Sequence, residues 1–460
     1  MAEPGRARGL AAALLTASLM PLNSTMIAVA IPDIARELDS DPAMVTQALV
    51  ATYLIAAIAL QSPGGKLGDL VGHRRIFAVG QVSIGIGALL GYLAPSLTLL
   101  AGARLLIAAG GALVVPATVA LLRTELPLDR RGRAFGTFGA VMALAAAAGP
   151  VLGGVLVEHF GWESLFLVNV PVLALSVILG AGVRHRSTTV RRTSFDWTGS
   201  TLLTGALVLL VVGAQRSDLL VGAAYVGAGI AALAPFVWWE RRAEDPVVAF
   251  SLFAAVPFLA GTLLIALQNL VLYALLFELP LLLETRFGQG ALETGQTLVF
   301  LMLAMVVTSL VAGRLTDRFG ARPLAVTGSL LAVVAIALML ASDLTGPADV
   351  RPPLVLLGIG LGITGPAAQT ASLSAVSSEQ SGMAAGLSST MRYLGGVIGI
   401  AILGRLVDFD GSRTAILSEH RAALVVFTCV LLAGLLCALA LPGGRASPSA
   451  KRSAAAAEAA

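Results

Sequence analysis

Long apolar runs separated by short polar connections dominate the chain, and their spacing predicts an all-helical protein. About 20 apolar residues are needed for one helical crossing of a bilayer, and that measure divides the sequence into fourteen spans. The first six cover residues 9–31, 44–63, 76–95, 97–122, 135–157 and 163–183. Two more follow at 198–215 and 219–239, and the last six at 255–283, 292–312, 323–342, 352–376, 384–406 and 423–442. The first run follows Arg6 and Arg8 closely, as in a signal peptide, but Pro21, Asn23 and Ser24 interrupt it and no cleavage site is evident. It is therefore read as a retained span.

The basic residues orient this pattern. Of the 30 Lys and Arg residues, 21 fall on one side of the predicted spans and 7 on the other, with Arg104 and Arg392 inside spans. Cytoplasmic connections carry the excess of positive charge, so both termini are expected in the cytoplasm. Composition agrees, with 57% apolar and 12% charged residues in 460. The net charge of +4 sits in connections between spans, which reads as membrane orientation and not as a nucleic-acid surface. The two cysteines, Cys429 and Cys437, lie in the last apolar run and read as packing residues. All four histidines, His73, His159, His185 and His420, fall in predicted connections, so neither an imidazole relay nor a metal site is expected. A nucleotide-binding Gly-Lys-Ser/Thr loop is absent, and no Ser/His/Asp or paired acidic arrangement shares a common depth, which argues against an ATP-driven protein or an enzyme. No cofactor is implied.

One polar sentence is written twice. Gly65, Leu67, Asp69, Gly72 and Arg74 recur at the same offsets as Gly313, Leu315, Asp317, Gly320 and Arg322. Each copy lies between the second and third spans of a six-span set, read as a tight loop in which glycines permit reversal and the acid holds neighbouring helix ends. A solvated basic loop is the competing explanation for a single copy. The repeat divides the chain into an N-terminal six-helix bundle (1–183), an inserted two-helix hairpin with linkers (184–254), a C-terminal six-helix bundle (255–442) and a disordered cytoplasmic tail (443–460).

These twin stretches resemble the signature between spans 2 and 3 of the major facilitator superfamily, whose members with that signature are secondary transporters. The small-residue run Gly149, Pro150, Gly153 and Gly154 in span 5 resembles the superfamily's antiporter signature, although Ala145 stands where many exporters have a further Gly. A generic helix-packing face would look the same. Phe195-Asp196-Trp197-Thr198-Gly199 at the hairpin entry, and Gly161-Trp162 with Phe166, Asn169 and Pro171, resemble the fourteen-span drug:proton antiporters. Arg104 in span 4 resembles an Arg implicated there in proton coupling, but Ile107 and Ala108 replace the usual Gln and Gly. Snorkelling to the outer interface is the alternative. Span 1 carries Asn23, with Thr25 and Pro32, where that group usually has an Asp, and an amide cannot titrate.

The remaining polar groups inside spans are sorted by charge. Among 26 acids, Glu278 is the one clearly inside an apolar run, about 9 Å of helix rise from Glu284 at the outer end of the span, a depth comparable to that of Arg104. Intramembrane acids are functional candidates by default. Glu278 and Arg104 are expected to face each other, with Glu278 carrying the proton or binding a cationic drug; a structural ion pair is the competitor. Gln268 and Asn269 could hydrogen-bond a substrate or join helices. Arg392, followed by Leu394-Gly395-Gly396, resembles the fourteen-span group and suits gating or substrate contact, against a structural pairing with Asp317. The expected protein is a monomeric, multi-pass exporter in a bacterial cytoplasmic membrane that exchanges amphipathic drugs or a natural product for protons. A facilitator or importer of the same fold, or a membrane sensor that no longer transports, remains the alternative.

Overall fold

The computed structural model describes residues 3–40, 44–45, 47–127, 130–180, 195–214, 216, 218–289, 291–342, 346–406 and 413–443. The tail from 444 and the basic stretch 181–194, which holds His185, lie outside the described residues. Every regular element among those described is helical.

The main helices are α1 (Glu3–Met26), α2 (Thr52–Val71), α3 (His73–Tyr92), α4 (Leu97–Glu125), α5 (Arg131–Phe160), α6 (Asn169–Gly180), α7 (Trp197–Ala214) and α8 (Leu219–Glu240). They continue with α9 (Val256–Phe287), α10 (Ala291–Phe319), α11 (Ala321–Ala341), α12 (Arg351–Ser374), α13 (Ser381–Leu406) and α14 (Arg413–Leu439). Among the described residues, eleven helices are long and apolar enough to cross a membrane, and Ser164–Gly180 and Trp197–Gly213 are shorter apolar segments. α1 is not among the eleven, because Pro21, Asn23, Ser24 and Thr25 dilute its apolar content.

Two boundaries differ from the hydropathy reading for physical reasons. The twin signatures are not loops: Gly65–Val71 forms the last turns of α2, and Gly313–Phe319 the last turns of α10. One residue suffices for each reversal, since Gly72 (φ 104°) and Gly320 (φ 90°) adopt backbone angles that side chains disfavour, and the next residue begins a helix. α14 starts ten residues before the predicted span, at Arg413, so His420 lies within a helix and not in a connection.

The chain forms two compact units. Unit 1 comprises Met1–Glu125, Val141–Leu252 and Val376–Ala401. Within it α4 packs on α2 and α3, α1 packs on α6, and α7 pairs with α8. Unit 2 comprises Leu126–Ala140, Phe253–Ala375 and Ile402–Ala460. There α12 packs on α10 and α11, and α14 packs on α9 and α11 around a core including Leu275, Leu279, Ile336, Leu357 and Phe427. Unit 1 thus includes most of α13, and unit 2 the first turns of α5.

Candidate functional site

The two signature acids perform one job in the two units. Asp69 accepts hydrogen bonds from the backbone N–H groups of Gly382 (2.7 Å) and Met383 (2.7 Å), at the first turn of α13. Asp317 accepts from Gly132 (2.7 Å) and Arg133 (2.9 Å), at the first turn of α5. The first N–H groups of a helix have no partner within it, and the N-terminus carries partial positive charge, so a carboxylate there satisfies both deficits. Gly65 and Gly313 make this possible, because a Cβ at either position would collide with the backbone at Gly382 or Gly132.

The surroundings of the two acids are not alike. Near Asp69, the His73 ring lies 3.4 Å away and also meets the Ser381 hydroxyl at 3.3 Å. Arg123, which the sequence reading overlooked, donates to the carbonyls of Ser377 (2.7 Å) and Val376, just before the helix end that Asp69 caps. Arg74 pairs with Glu125, whereas its counterpart Arg322 is exposed.

A second polar cluster fills the middle of unit 1. Asn23 and Asn169 exchange amide hydrogen bonds: Asn23 Nδ2 donates to Asn169 Oδ1 at 2.6 Å and Asn169 Nδ2 to Asn23 Oδ1 at 3.2 Å. Both are buried. Arg104, 2% exposed, donates to the carbonyls of Asn23 (3.1 Å) and Leu49 (3.2 Å) and lies 4.2 Å from the centre of the Tyr53 ring. Both acceptors belong to or adjoin irregular backbone. Asn23 precedes the switch from α1 to a 3-10 turn at Ile27–Ala30, and Leu49 sits in a π turn, Gln47–Ala51. Departures from the α pattern release carbonyls, and at membrane depth they are tolerated where another group takes them up. The guanidinium does so here. Thr25 donates to the Ala146 carbonyl of α5 at 3.0 Å, and Gly149 abuts Thr25 while Gly153 abuts Met26, so the small-residue run seats α5 against α1. Pro150 lies within α5, and Gly154 has open space beside it.

Glu278 in unit 2 is 2% exposed and is hydrogen-bonded to His420, 1% exposed, through Oε1 and Nδ1. This overturns the expectation that no histidine belongs to the buried machinery. Glu278 and Arg104 therefore lie in different units, each partnered within its own. His420 was legible in principle: Leu417, His420, Leu424, Phe427 and Leu431 follow helical spacing, so the polar residue continues an apolar stripe. On α9, Gln268 is buried with its Nε2 unpartnered, and Asn269 donates to its own helix at Ile265 (2.8 Å). Arg392 is half-buried on α13. Among the described residues, no three His, Cys, Asp or Glu side chains are grouped to hold a metal.

Helices α7 and α8 are bonded into unit 1. Asp196 accepts from the N–H of Gly199 at 2.8 Å, and the Trp239 indole donates to both its oxygens at 3.0 and 3.1 Å. Glu240, buried at the end of α8, accepts from the Val248 N–H, and the next N–H, of Ala249, points to the Met383 sulfur at 3.2 Å.

Such a fold, all helices with buried charge and paired signatures, is that of a polytopic membrane transporter. The major facilitator superfamily family model matches residues 13–400, and the chain belongs to that superfamily. It is 32% identical over 397 residues to the tetracenomycin C resistance and export protein of Streptomyces glaucescens, covering 85% of this chain and 73% of that one. An uncharacterized MFS-type transporter, YvkA, of Bacillus subtilis is 31% identical, covering 86% and 89% of the two chains. The multidrug efflux pump LfrA of Mycolicibacterium smegmatis is 30% identical, covering 86% and 80%. Among solved structures, the human organic anion transporter MFSD10 superposes with a TM-score of 0.70 at 15% identity, covering 95% of this chain and 100% of that one, which shows the shared fold. The protein is a multi-pass membrane transporter with relatives named for drug and antibiotic efflux, and it is not an enzyme.

Proposed function

We propose that this protein is a fourteen-span, proton-driven exporter of amphipathic drugs or a natural product, working by alternating access as a monomer in a bacterial cytoplasmic membrane with both termini inside. Its parts are a six-helix bundle to residue 183, a hairpin to 254, a second bundle to 442 and a cytoplasmic tail. The observation that carries the reading is the similarity, across most of the chain, to relatives named for tetracenomycin C export, puromycin resistance and multidrug efflux. Asp69 and Asp317 support the alternating cycle: a carboxylate on two N–H groups is a bond that can be made in one state and broken in another. Glu278 is the proton carrier in this reading, with Arg104, Gln268, Asn269 and Arg392 as candidate substrate or coupling contacts. Asn23 favours a second reading, a facilitator without antiport, because its amide is locked to Asn169 and cannot exchange a proton.

Expression in an efflux-deficient bacterium, with ethidium, puromycin and tetracenomycin C as probes, tests the first reading. Cells carrying the protein should accumulate less of at least one probe, and a protonophore should erase the difference. Equal accumulation of all three with and without the protein would end it; a difference that survives the protonophore would favour the facilitator.

A further inference from the structure

We propose that His420 and Glu278 together form one proton-exchange site, with the imidazole positioning and sharing the carboxyl proton. The inference rests on the transport reading above and adds a residue that the sequence pattern had assigned to a connection.

The site is built from two helices. Glu278 comes from α9 and His420 from α14, 142 positions apart in sequence, and their side chains meet through Oε1 and Nδ1. The other two polar atoms, Glu278 Oε2 and His420 Nε2, are both buried without a hydrogen-bond partner. Each side chain retains an unused bonding capacity, directed at nothing the protein supplies. Around them, Ala274, Leu275, Leu279 and Leu282 on α9, with Leu417, Ala423 and Leu424 on α14, belong to one apolar cluster.

Among the described side chains, the other charged groups at this end of the packed helices are Glu419 and Arg421 on α14, Arg286 on α9, Glu293 on α10, Asp349 just before α12, Arg351 on α12 and Arg405 on α13. Arg421, Arg286, Glu293 and Arg405 are exposed, and Glu419 and Arg351 half-exposed. On α11 the only charged side chain, Arg322, is at the opposite end. Within the buried cluster, the pair must balance its own charge.

Counting protons shows why histidine suits this place. With no proton the pair carries one negative charge, with one it is neutral, and with two it carries one positive charge. An isolated charge among apolar groups is costly. The one-proton form, with the hydrogen on either Oε1 or Nδ1, is therefore the form that burial favours. An arginine in place of His420 would remain charged and hold Glu278 as a carboxylate. Imidazole can give the proton back. Departure of that proton leaves a negative charge, which either a returning proton or a cationic nitrogen of a substrate can offset. The unpartnered Oε2 and Nε2 are where such a group, or a water, would bond.

The test uses the full-length protein in nanodiscs and proteoliposomes. With isotope-labelled histidine, the His420 signal is identified by its loss in His420→Gln. It should change reversibly with pH, and Glu278→Gln should alter that response. A signal that stays fixed, or ignores Glu278→Gln, overturns the proposal. A merely structural pair is separated by transport. Under an imposed pH gradient, Glu278→Gln and His420→Gln should each reduce ethidium accumulation roughly tenfold or more, and the transport that remains should no longer depend on the size of the gradient. If only Glu278→Gln has this effect, proton coupling stands and the role of His420 falls. If neither does, both fall. A wild-type protein that moves no ethidium counts against the transport reading instead, and the titration then decides the pair alone.

Discussion

Asp69 and Asp317 occupy equivalent places in a repeated signature, cap equivalent helix starts with two hydrogen bonds each, and differ in what surrounds them. Asp69 has a side chain only 7% exposed, with His73 and Ser381 beside it and Arg123 fixing the segment that leads into the capped helix. Asp317 is half-exposed, and one of its bonds, to Arg133, is at the surface. The same five residues therefore produce a more deeply buried joint in unit 1 and a wetter one in unit 2. A sequence motif specifies which atoms meet; the neighbours decide how much the meeting contributes.

The largest expected effect comes from removing the two acids separately. Buried hydrogen bonds to a charged group contribute about 1.5–3 kcal/mol each, so Asp69→Ala should cost about 3 kcal/mol or more, and Asp317→Ala about half as much because water can replace part of what is lost. Thermal unfolding of the purified variants, alongside ethidium efflux, checks the order; equal losses would show that the bracing around Asp69 contributes nothing. The next effect should be symmetric. Gly72→Ala and Gly320→Ala both force a side chain into a backbone region that costs about 1–3 kcal/mol, and similar drops in midpoint temperature are expected. A difference of more than about 1 kcal/mol between them would mean that one reversal relaxes. The smallest effect belongs to the late arginines. Arg74→Ala breaks a partly exposed ion pair with Glu125 and should cost about 0.5 kcal/mol, whereas Arg322→Ala should be neutral.

How far the chain could be read in advance depended on whether the deciding interaction was local. Apolar runs such as Leu97–Glu125 declare themselves by composition, because a helix in lipid satisfies its own backbone. The density of Gly, Asp and Arg in the twin signatures suggested loops, yet a single positive-φ glycine turns the chain and the rest is helix. Hydropathy starts α14 ten residues too late because Ser418-Glu419-His420-Arg421 looks polar. Hydropathy cannot register that His420 is matched by Glu278, 142 residues earlier. The same limit applies to Arg104: its depth was evident, but its acceptors are carbonyls released by a 3-10 turn and a π turn that composition does not reveal.

The bonds beyond α8 bear on what could be cut from this protein. Glu240 grips the connector at Val248, and the neighbouring Ala249 leans on Met383, the residue whose own N–H is taken by Asp69. Helices α7 and α8 are thus not a cassette that could be excised and their ends rejoined. A shortened version would lose an anchor at the spot where the first signature does its work, and any engineer removing α7 and α8 would have to rebuild that anchor first.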